Sequence, residues 1–298
     1  MTATPKISVF ILTYNHESYI SDCLEGVVSQ QLNCAFEVIV AEDCSSDNTL
    51  AICRDYAARY PEVIKLLETP VNLGMVKNSL RAVAACTGDY IAPCEGDDFW
   101  TDPHKLQRQV DFLEANPEYS MVAENGLVKN SVLNKEFPFN SIGERDLTIE
   151  DLLEKRQFPT ASVLFRRKYL EEYKTPKYAG DTILWCFLAT KGKIRYMPNI
   201  SSVYRRGMQG IVLSSNKVEW AKLMEKWNIE ISAILPPSFD RRIFKRRNYK
   251  EYMKAFYFSA GIKDRKNAIY SIKKCFHYQP IRTAITLSKF FLKKLKTA

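Results

Sequence analysis

Long apolar runs are missing from this 298-residue chain. None approaches the ~18 consecutive apolar residues that a membrane-spanning helix needs. The longest early run, Ile7 to Leu12, stops at Thr13-Tyr14-Asn15 with no small-residue cleavage site behind it, so no signal peptide is expected. The eight cysteines, at 23, 34, 44, 53, 86, 94, 186 and 275, contain no Cys-x-x-Cys pair. That scatter argues against a disulfide framework or a zinc site and suits free, mostly buried thiols in a reducing compartment. A cytoplasmic protein is the expectation. Phosphate-cradling glycines are lacking too. No Gly-x-Gly-x-x-Gly follows the first apolar run, and no Gly-x-x-x-x-Gly-Lys-Ser/Thr occurs anywhere, which excludes dinucleotide dehydrogenases and P-loop NTPases. His16, His104 and His277 stand isolated, with no Ser/His/Asp or Cys/His arrangement around them.

What is present suits a soluble globular protein: 46% hydrophobic and 26% charged residues. Such a chain has enough apolar material for a sizeable core, which excludes disorder. The net charge of +9 is uneven. Residues 241–298 hold 17 Lys/Arg against only Glu251 and Asp264, while the first 240 residues are mildly acidic. A basic tail seeks phosphates, on nucleic acid or on anionic lipid head groups.

The first half alternates strands and helices. Ile7–Leu12 is a β-forming run, followed by a helical face of Ile20, Leu24, Val27 and Val28. A second strand, Phe36–Ala41, precedes a helix through Ile52, Tyr56 and Tyr60. Val63–Leu67 is a third strand, and a helix from about Val76 to Cys86 leads to a fourth, Asp89–Cys94. This order predicts an α/β doubly wound half with a mostly parallel sheet and crossover helices. Ligand groups are then expected in the loops after the strand C-termini. Those loops carry Thr13, Tyr14, Asn15 and Glu17, then Glu42 and Asp43, then Glu95-Gly96-Asp97-Asp98. Three carboxylates within four residues repel one another, and a divalent cation is the usual reason to tolerate them. A solvated acidic turn is the plain alternative.

Five ordered blocks spread over about 100 residues resemble family 2 glycosyltransferases with the GT-A fold. They are Ile7 to Asn15, Val38 to Thr49, Asn72-Leu73-Gly74, Gly88 to Ala92, and Glu95 to Trp100 with Lys105-Leu106. The resemblance returns at Asp181 to Trp185, at Lys191 to Ile194 and at Tyr204-Arg205. It implies that Thr13, Tyr14, Asn15 and Glu17 line a nucleoside pocket. It implies that Asp43 accepts the uracil imide N–H of a UDP-sugar, because a buried carboxylate facing an imide donor rejects the wrong base. Asp98 is the implied ligand of Mn²⁺ or Mg²⁺, Asp97 holds sugar or ribose hydroxyls, and Glu95 fills the motif's first acidic position. Glu42 reads equally as a site residue or as an acidic helix N-terminus. Lys77 reads as a diphosphate contact or a solvated helix lysine, and Trp100 as a wall of the sugar pocket or packing under the loop.

Transfer to a hydroxyl also needs a base opposite the leaving group, and one carboxylate there gives inversion. By resemblance that base is Asp181, whose position also fits a helix N-cap. Many relatives carry a histidine two residues after the equivalent of Tyr204-Arg205. Here Arg206 and Gly207 follow, leaving Arg205 or Arg206 to act on metal or phosphate.

The expected organisation is a GT-A domain over 1–215, with a nucleotide-binding half (1–120) and an acceptor half (121–215). A basic, aromatic-rich helical extension covers 216–298. Val218–Ala233 has helical spacing, Pro236-Pro237 breaks the chain, and two or three helices follow. Ile281–Leu295 is a basic amphipathic stretch suited to an anionic membrane surface, or to packing on the body with solvated lysines. The leading expectation is a metal-dependent inverting glycosyltransferase. It would move a sugar from a UDP-sugar to a glycan or polyprenyl-linked glycan in cell-surface polysaccharide synthesis. It would sit in the cytoplasm at the inner membrane face, with no nucleic-acid partner. The alternatives are a catalytically silent GT-A relative that binds or scaffolds, and a nucleic-acid binder working through its tail.

Overall fold

The computed structural model describes residues 6–173, 180–207 and 216–295, with side chains as far as 289. Two compact units divide the chain, Met1–Met208 and Gln209–Ala298.

In the first unit the strands are β1 (Ile7–Thr13), β2 (Phe36–Glu42), β3 (Ile64–Leu67), β4 (Tyr90–Glu95), β5 (Phe99–Trp100), β6 (Tyr119–Asn130), β7 (Lys135–Pro138), β8 (Arg145–Leu147), β9 (Val163–Arg166) and β10 (Lys193–Arg206). The helices are α1 (Ile20–Val28), α2 (Thr49–Arg59), α3 (Met75–Ala85), α4 (Lys105–Ala115), α5 (Ile149–Glu154) and α6 (Asp181–Lys191). Among the described residues they build one sheet in the order β3-β2-β1-β4-β9-β6-β10-β5, with β7 added to β6 and β8 to β10.

β1 to β4 pair in parallel, as strand–helix alternation requires. β1 is buried along almost its whole length, so it is a central strand covered on both faces, which is why its sequence is a continuous apolar run. Its Ile7, Val9 and Ile11 pack with Val38 and Val40 of β2, Leu24 and Val27 of α1, and Leu106 and Leu113 of α4. Burying each such side chain stabilises the fold by about 1.5–3 kcal/mol. Beyond β4 the sheet becomes mixed. β9 runs antiparallel to both β4 and β6, and β10 returns parallel to β6.

The second unit is helical: α7 (Lys217–Ile234), α8 (Arg242–Gly261), α9 (Arg265–Tyr278) and α10 (Pro280–Leu295). Its core gathers Val218 and Ala221 of α7, Tyr249, Tyr252 and Met253 of α8, and Cys275 of α9. Glu225 ties three helices together. It accepts the Tyr252 hydroxyl (2.5 Å), the Tyr278 hydroxyl and the Lys274 ammonium (2.9 Å). The side chains of Phe290, Phe291, Leu292, Lys293, Lys294, Leu295 and Lys296 lie outside the described residues. All eight cysteines are free, and all but Cys34 and Cys44 are buried.

Candidate active site

The chain runs outward from β1 to β2 and β3, then returns to β4 on the other side of β1. That reversal opens a crevice past the carboxyl ends of β1 and β4. Register aligns the chemistry there, with Thr13 beside Glu42 and Leu12 beside Glu95.

The loop after β1 is stitched to the turn after β2. Asn15, with φ of 54°, adopts the left-handed backbone that asparagine tolerates. Its amide donates to Ser45 Oγ (2.9 Å) and its Oδ1 accepts from the Ser46 amide (2.9 Å). Glu17 Oε2 accepts from the Asn48 amide (3.0 Å) and side chain (3.1 Å). Thr13 is buried, whereas the Tyr14 ring is exposed and open to a ligand. His16, isolated in sequence, is not isolated in space. Its Nδ1 lies 3.3 Å from Thr13 Oγ1, and a Cβ placed on Gly96 would stand 2.8 Å from it. Burial holds its pKa below the usual value, against the pull of Asp97 and Asp47.

Glu42 is fully buried, and its carboxylate accepts the Ser45 (2.7 Å) and Cys44 (3.1 Å) amides. It therefore caps the turn behind β2 and is not a helix N-terminal acid, since α2 begins only at Thr49. Asp43, also buried, receives the amides of Leu73 (2.8 Å) and Gly74 (2.9 Å). It thus anchors the loop entering α3, where Lys77 is exposed. Trp100 belongs to the core and does not wall an open pocket. Its ring is 3% exposed, its indole N–H donates to the Ala161 carbonyl (2.6 Å), and the Lys105 ammonium lies over it.

The acidic loop after β4 carries the strongest electrostatics. Glu95 Oε2 is buried without a hydrogen-bond partner. Burial, with Asp181, Asp98 and Asp97 nearby, pushes the Glu95 carboxyl well above the usual range, and Arg156 opposes the shift. Asp98, 2% exposed, is likewise raised by burial and by Asp97. Its Oδ1 accepts the Arg205 amide (2.9 Å). The Arg205 guanidinium donates to the Asp97 carbonyl (3.0 Å) and pairs with the Asp22 carboxylate. Arg206, by contrast, is exposed at the end of β10.

Asp181 comes to this cluster from 83 or more positions along the chain. Gly180 is the N-cap of α6 and Asp181 the first helical residue, so its carboxylate is not spent on capping. The side chain is exposed, and its Oδ2 accepts the Thr160 hydroxyl at 2.5 Å. Thr160 in turn accepts from Arg156 Nη2 (3.2 Å). Arg156 lies over the rings of Tyr204 (5.2 Å) and Phe139 (5.7 Å). Burial works against the Arg156 charge, but Asp181, Tyr204 and Glu95 outweigh it and raise its pKa. His16, Asp22, Arg156 and Thr160 carry no motif in the sequence. Only the folding of the 156–162 segment against the β4 loop brings the last two to Asp181.

Among the described residues no three His, Cys, Asp or Glu side chains converge as a ready-made ion site. The donor set nevertheless fits a hard divalent cation: the Asp97 and Asp98 carboxylates beside an unpartnered Glu95 oxygen, all pressed together at a cost that positive charge would relieve.

Residues 8–174 match the model of the family described as Glycosyl transferase family 2. An uncharacterized protein of Mycobacterium tuberculosis is 35% identical over 208 residues, covering 69% of this chain and 60% of the relative. The chain therefore spans about 60% of the length of the curated relatives it matches first. TuaG of Bacillus subtilis, named as a teichuronic acid biosynthesis glycosyltransferase, is 26% identical over 75% of this chain and 86% of its own. Among solved structures, S. aureus TarS 1–349 in complex with UDP superposes with a TM-score of 0.66. That likeness covers 93% of this chain and 82% of the TarS 1–349 fragment at 17% identity, and it identifies the fold.

Proposed function

Because the chain belongs to glycosyltransferase family 2, we propose that it transfers a sugar, with inversion, from a nucleoside diphosphate donor to a hydroxyl group of a glycan or lipid-linked glycan. The observation that carries this reading is the meeting of Asp181 with the Glu95, Asp97 and Asp98 carboxylates at the β1/β4 crevice. One group of residues suits a diphosphate with its cation, and the other suits a base.

The donor we assign is a UDP-sugar. TarS was solved with UDP, and the crevice offers the exposed Tyr14 ring for the base. Each Asp43 oxygen that holds the Leu73 and Gly74 amides keeps a second lone pair, able to accept the uracil imide N–H. Asp98, with Glu95 beside it, would hold Mn²⁺ or Mg²⁺, which supplies neutralisation of the departing diphosphate when bound. Asp97 would orient sugar or ribose hydroxyls. Asp181 takes the proton of the acceptor hydroxyl while its oxygen bonds to the anomeric carbon and the carbon–oxygen bond to the diphosphate breaks. Lys77, Arg205 and Arg206 are the cations available to the phosphates, with Arg205 the nearest to the acidic loop.

The acceptor class rests on TuaG, whose name places it in polysaccharide synthesis. We further place the chain in the cytoplasm with its C-terminal helices on an anionic membrane surface. The support is exposed apolar residues beside cations: Ile281 and Ile285 with Arg282 and Lys289.

Calorimetric titration of UDP, GDP and TDP, with Mn²⁺ and with EDTA, tests the donor site. Tight UDP binding that needs metal is expected. Binding of no nucleotide in either condition would leave a silent relative of the family.

A further inference from the structure

The turn that faces Asp181 is built with more polar order than its sequence suggests. The 3-10 turn Thr160–Ser162 is buried throughout. It is clamped from two sides: Trp100 Nε1 donates to the Ala161 carbonyl (2.6 Å), and Gln109 Nε2 donates to the Ser162 carbonyl (2.8 Å). Ser162 Oγ closes the turn on the Pro159 carbonyl (2.8 Å). Trp100 lies two residues after Asp98, so its bond to Ala161 links the acidic loop to the turn.

Out of that turn points one hydroxyl. A threonine hydroxyl has a single proton to donate and two lone pairs to accept with. Arg156 Nη2 donates to Thr160 Oγ1 (3.2 Å), and a guanidinium can only donate. The Thr160 proton is therefore committed to Asp181 Oδ2, 2.5 Å away. Among the described residues no group donates to Asp181 Oδ1. Among the described residues the Asp181 carboxylate is thus gripped by one oxygen, Oδ2.

We propose that Thr160, its hydroxyl aimed by Arg156, is a positioning residue that fixes the rotation of the Asp181 carboxylate and turns Oδ1 toward the acceptor hydroxyl. This rests on the reading of Asp181 as the base. The physical reason is that proton transfer needs the base within hydrogen-bond reach, and Asp181 sits on an exposed first helical turn where, among the described residues, the Thr160 hydroxyl is the hydrogen bond that holds its carboxylate. The clamp through Trp100 gives the arrangement its reach. It links the base to the loop that carries Asp97 and Asp98 through two hydrogen bonds.

The test compares Thr160→Val, which keeps the shape and removes the hydroxyl, with Thr160→Ser, which restores it, alongside Asp181→Asn. Full-length protein with Mn²⁺ is given UDP-glucose or UDP-N-acetylglucosamine. UDP release with water as acceptor yields kcat and donor KM, and calorimetry yields UDP affinity. Thr160→Val is expected to lower kcat by about 10- to 100-fold, the scale of a misplaced catalytic group. Donor KM and UDP affinity should stay within about threefold, and Thr160→Ser should recover most of the rate. Unchanged kcat in Thr160→Val beside a loss in Asp181→Asn would overturn the positioning role and leave the base in place. Normal turnover by Asp181→Asn, or no turnover by the wild-type chain, would overturn both. A fall in UDP affinity parallel to kcat, unrescued by serine, would mark Thr160 as merely structural. Thr160→Ala carries the same comparison if the valine variant does not fold.

Discussion

Lys105 shows how much the neighbourhood of a residue changes its meaning. It lies in a block shared with the family, yet its side chain is wholly buried, with Nζ donating to Gln109 Oε1 (2.8 Å) and lying 4.4 Å over the Trp100 ring. Burial pulls its pKa from 10.5 down to about 8. The folded chain then binds fewer protons than the unfolded chain between those values, so this lysine makes stability rise with pH across that window. Lys105→Met is expected to stabilise the fold at pH 7 by up to about 3 kcal/mol. That advantage should shrink as pH rises from about 8 to 10.5, as read by urea unfolding at a series of pH values. Asp98 carries the opposite expectation. Asp98→Ala removes a buried, repelled carboxylate, so folding should survive while metal-dependent UDP binding is lost. Calorimetry that finds the same metal-dependent affinity would remove Asp98 from the cation site.

Between elements, the close approaches decide. α1 crosses β5 at Gly26, where an added Cβ would stand 2.6 Å from the Trp100 carbonyl oxygen and 2.9 Å from its amide nitrogen. Both are backbone atoms of the strand that carries the clamp on the Thr160 turn, so neither can swing aside. Gly26→Ala is expected to cost about 1–3 kcal/mol, the range for overpacking, and to show in chemical denaturation as a lower midpoint with an unchanged slope. The parallel strands β1 to β4 and their helices were legible in the sequence because each apolar run had one length and one period. β5, β7 and β8 were not. They are short and largely without alternation, and they exist because β6 and β10 offer edges to pair with. The site was legible to the same extent. Glu95, Asp97 and Asp98 stand out as a cluster on one loop, but Thr160 and Arg156 lie in a stretch with no periodicity and no motif.

At the scale of the whole molecule, charge and apolar exposure coincide in the C-terminal unit. The outward face of α8 shows Arg242, Arg246, Lys250 and Lys254 at four-residue spacing, then Phe258, with Ile262 60% exposed just beyond. α10 exposes Ile281 and Ile285 beside Arg282 and Lys289. No described helix is long and apolar enough to cross a membrane, so a contact with lipid would be made at the surface. Removal of residues 281–298 should reduce co-sedimentation with vesicles containing phosphatidylglycerol and leave phosphatidylcholine vesicles indifferent to either protein. Undiminished binding would move the contact to α8.

Sequence alone determined the α/β class, the first four strands and the helices between them, the family, and the acidic loop with its neighbours, because these are written in local periodicity and in closely spaced residues. Only the tertiary structure decided which carboxylates are already occupied, as with Glu42 and Asp43 by backbone amides. It also decided that Trp100 is a clamp and not a pocket wall, and that Thr160 and Arg156 hold Asp181. Apart from the Glu42 turn and the Arg156–Thr160 bond, which are local, those facts depend on contacts between residues more than 20 positions apart, and no local pattern encodes such a contact.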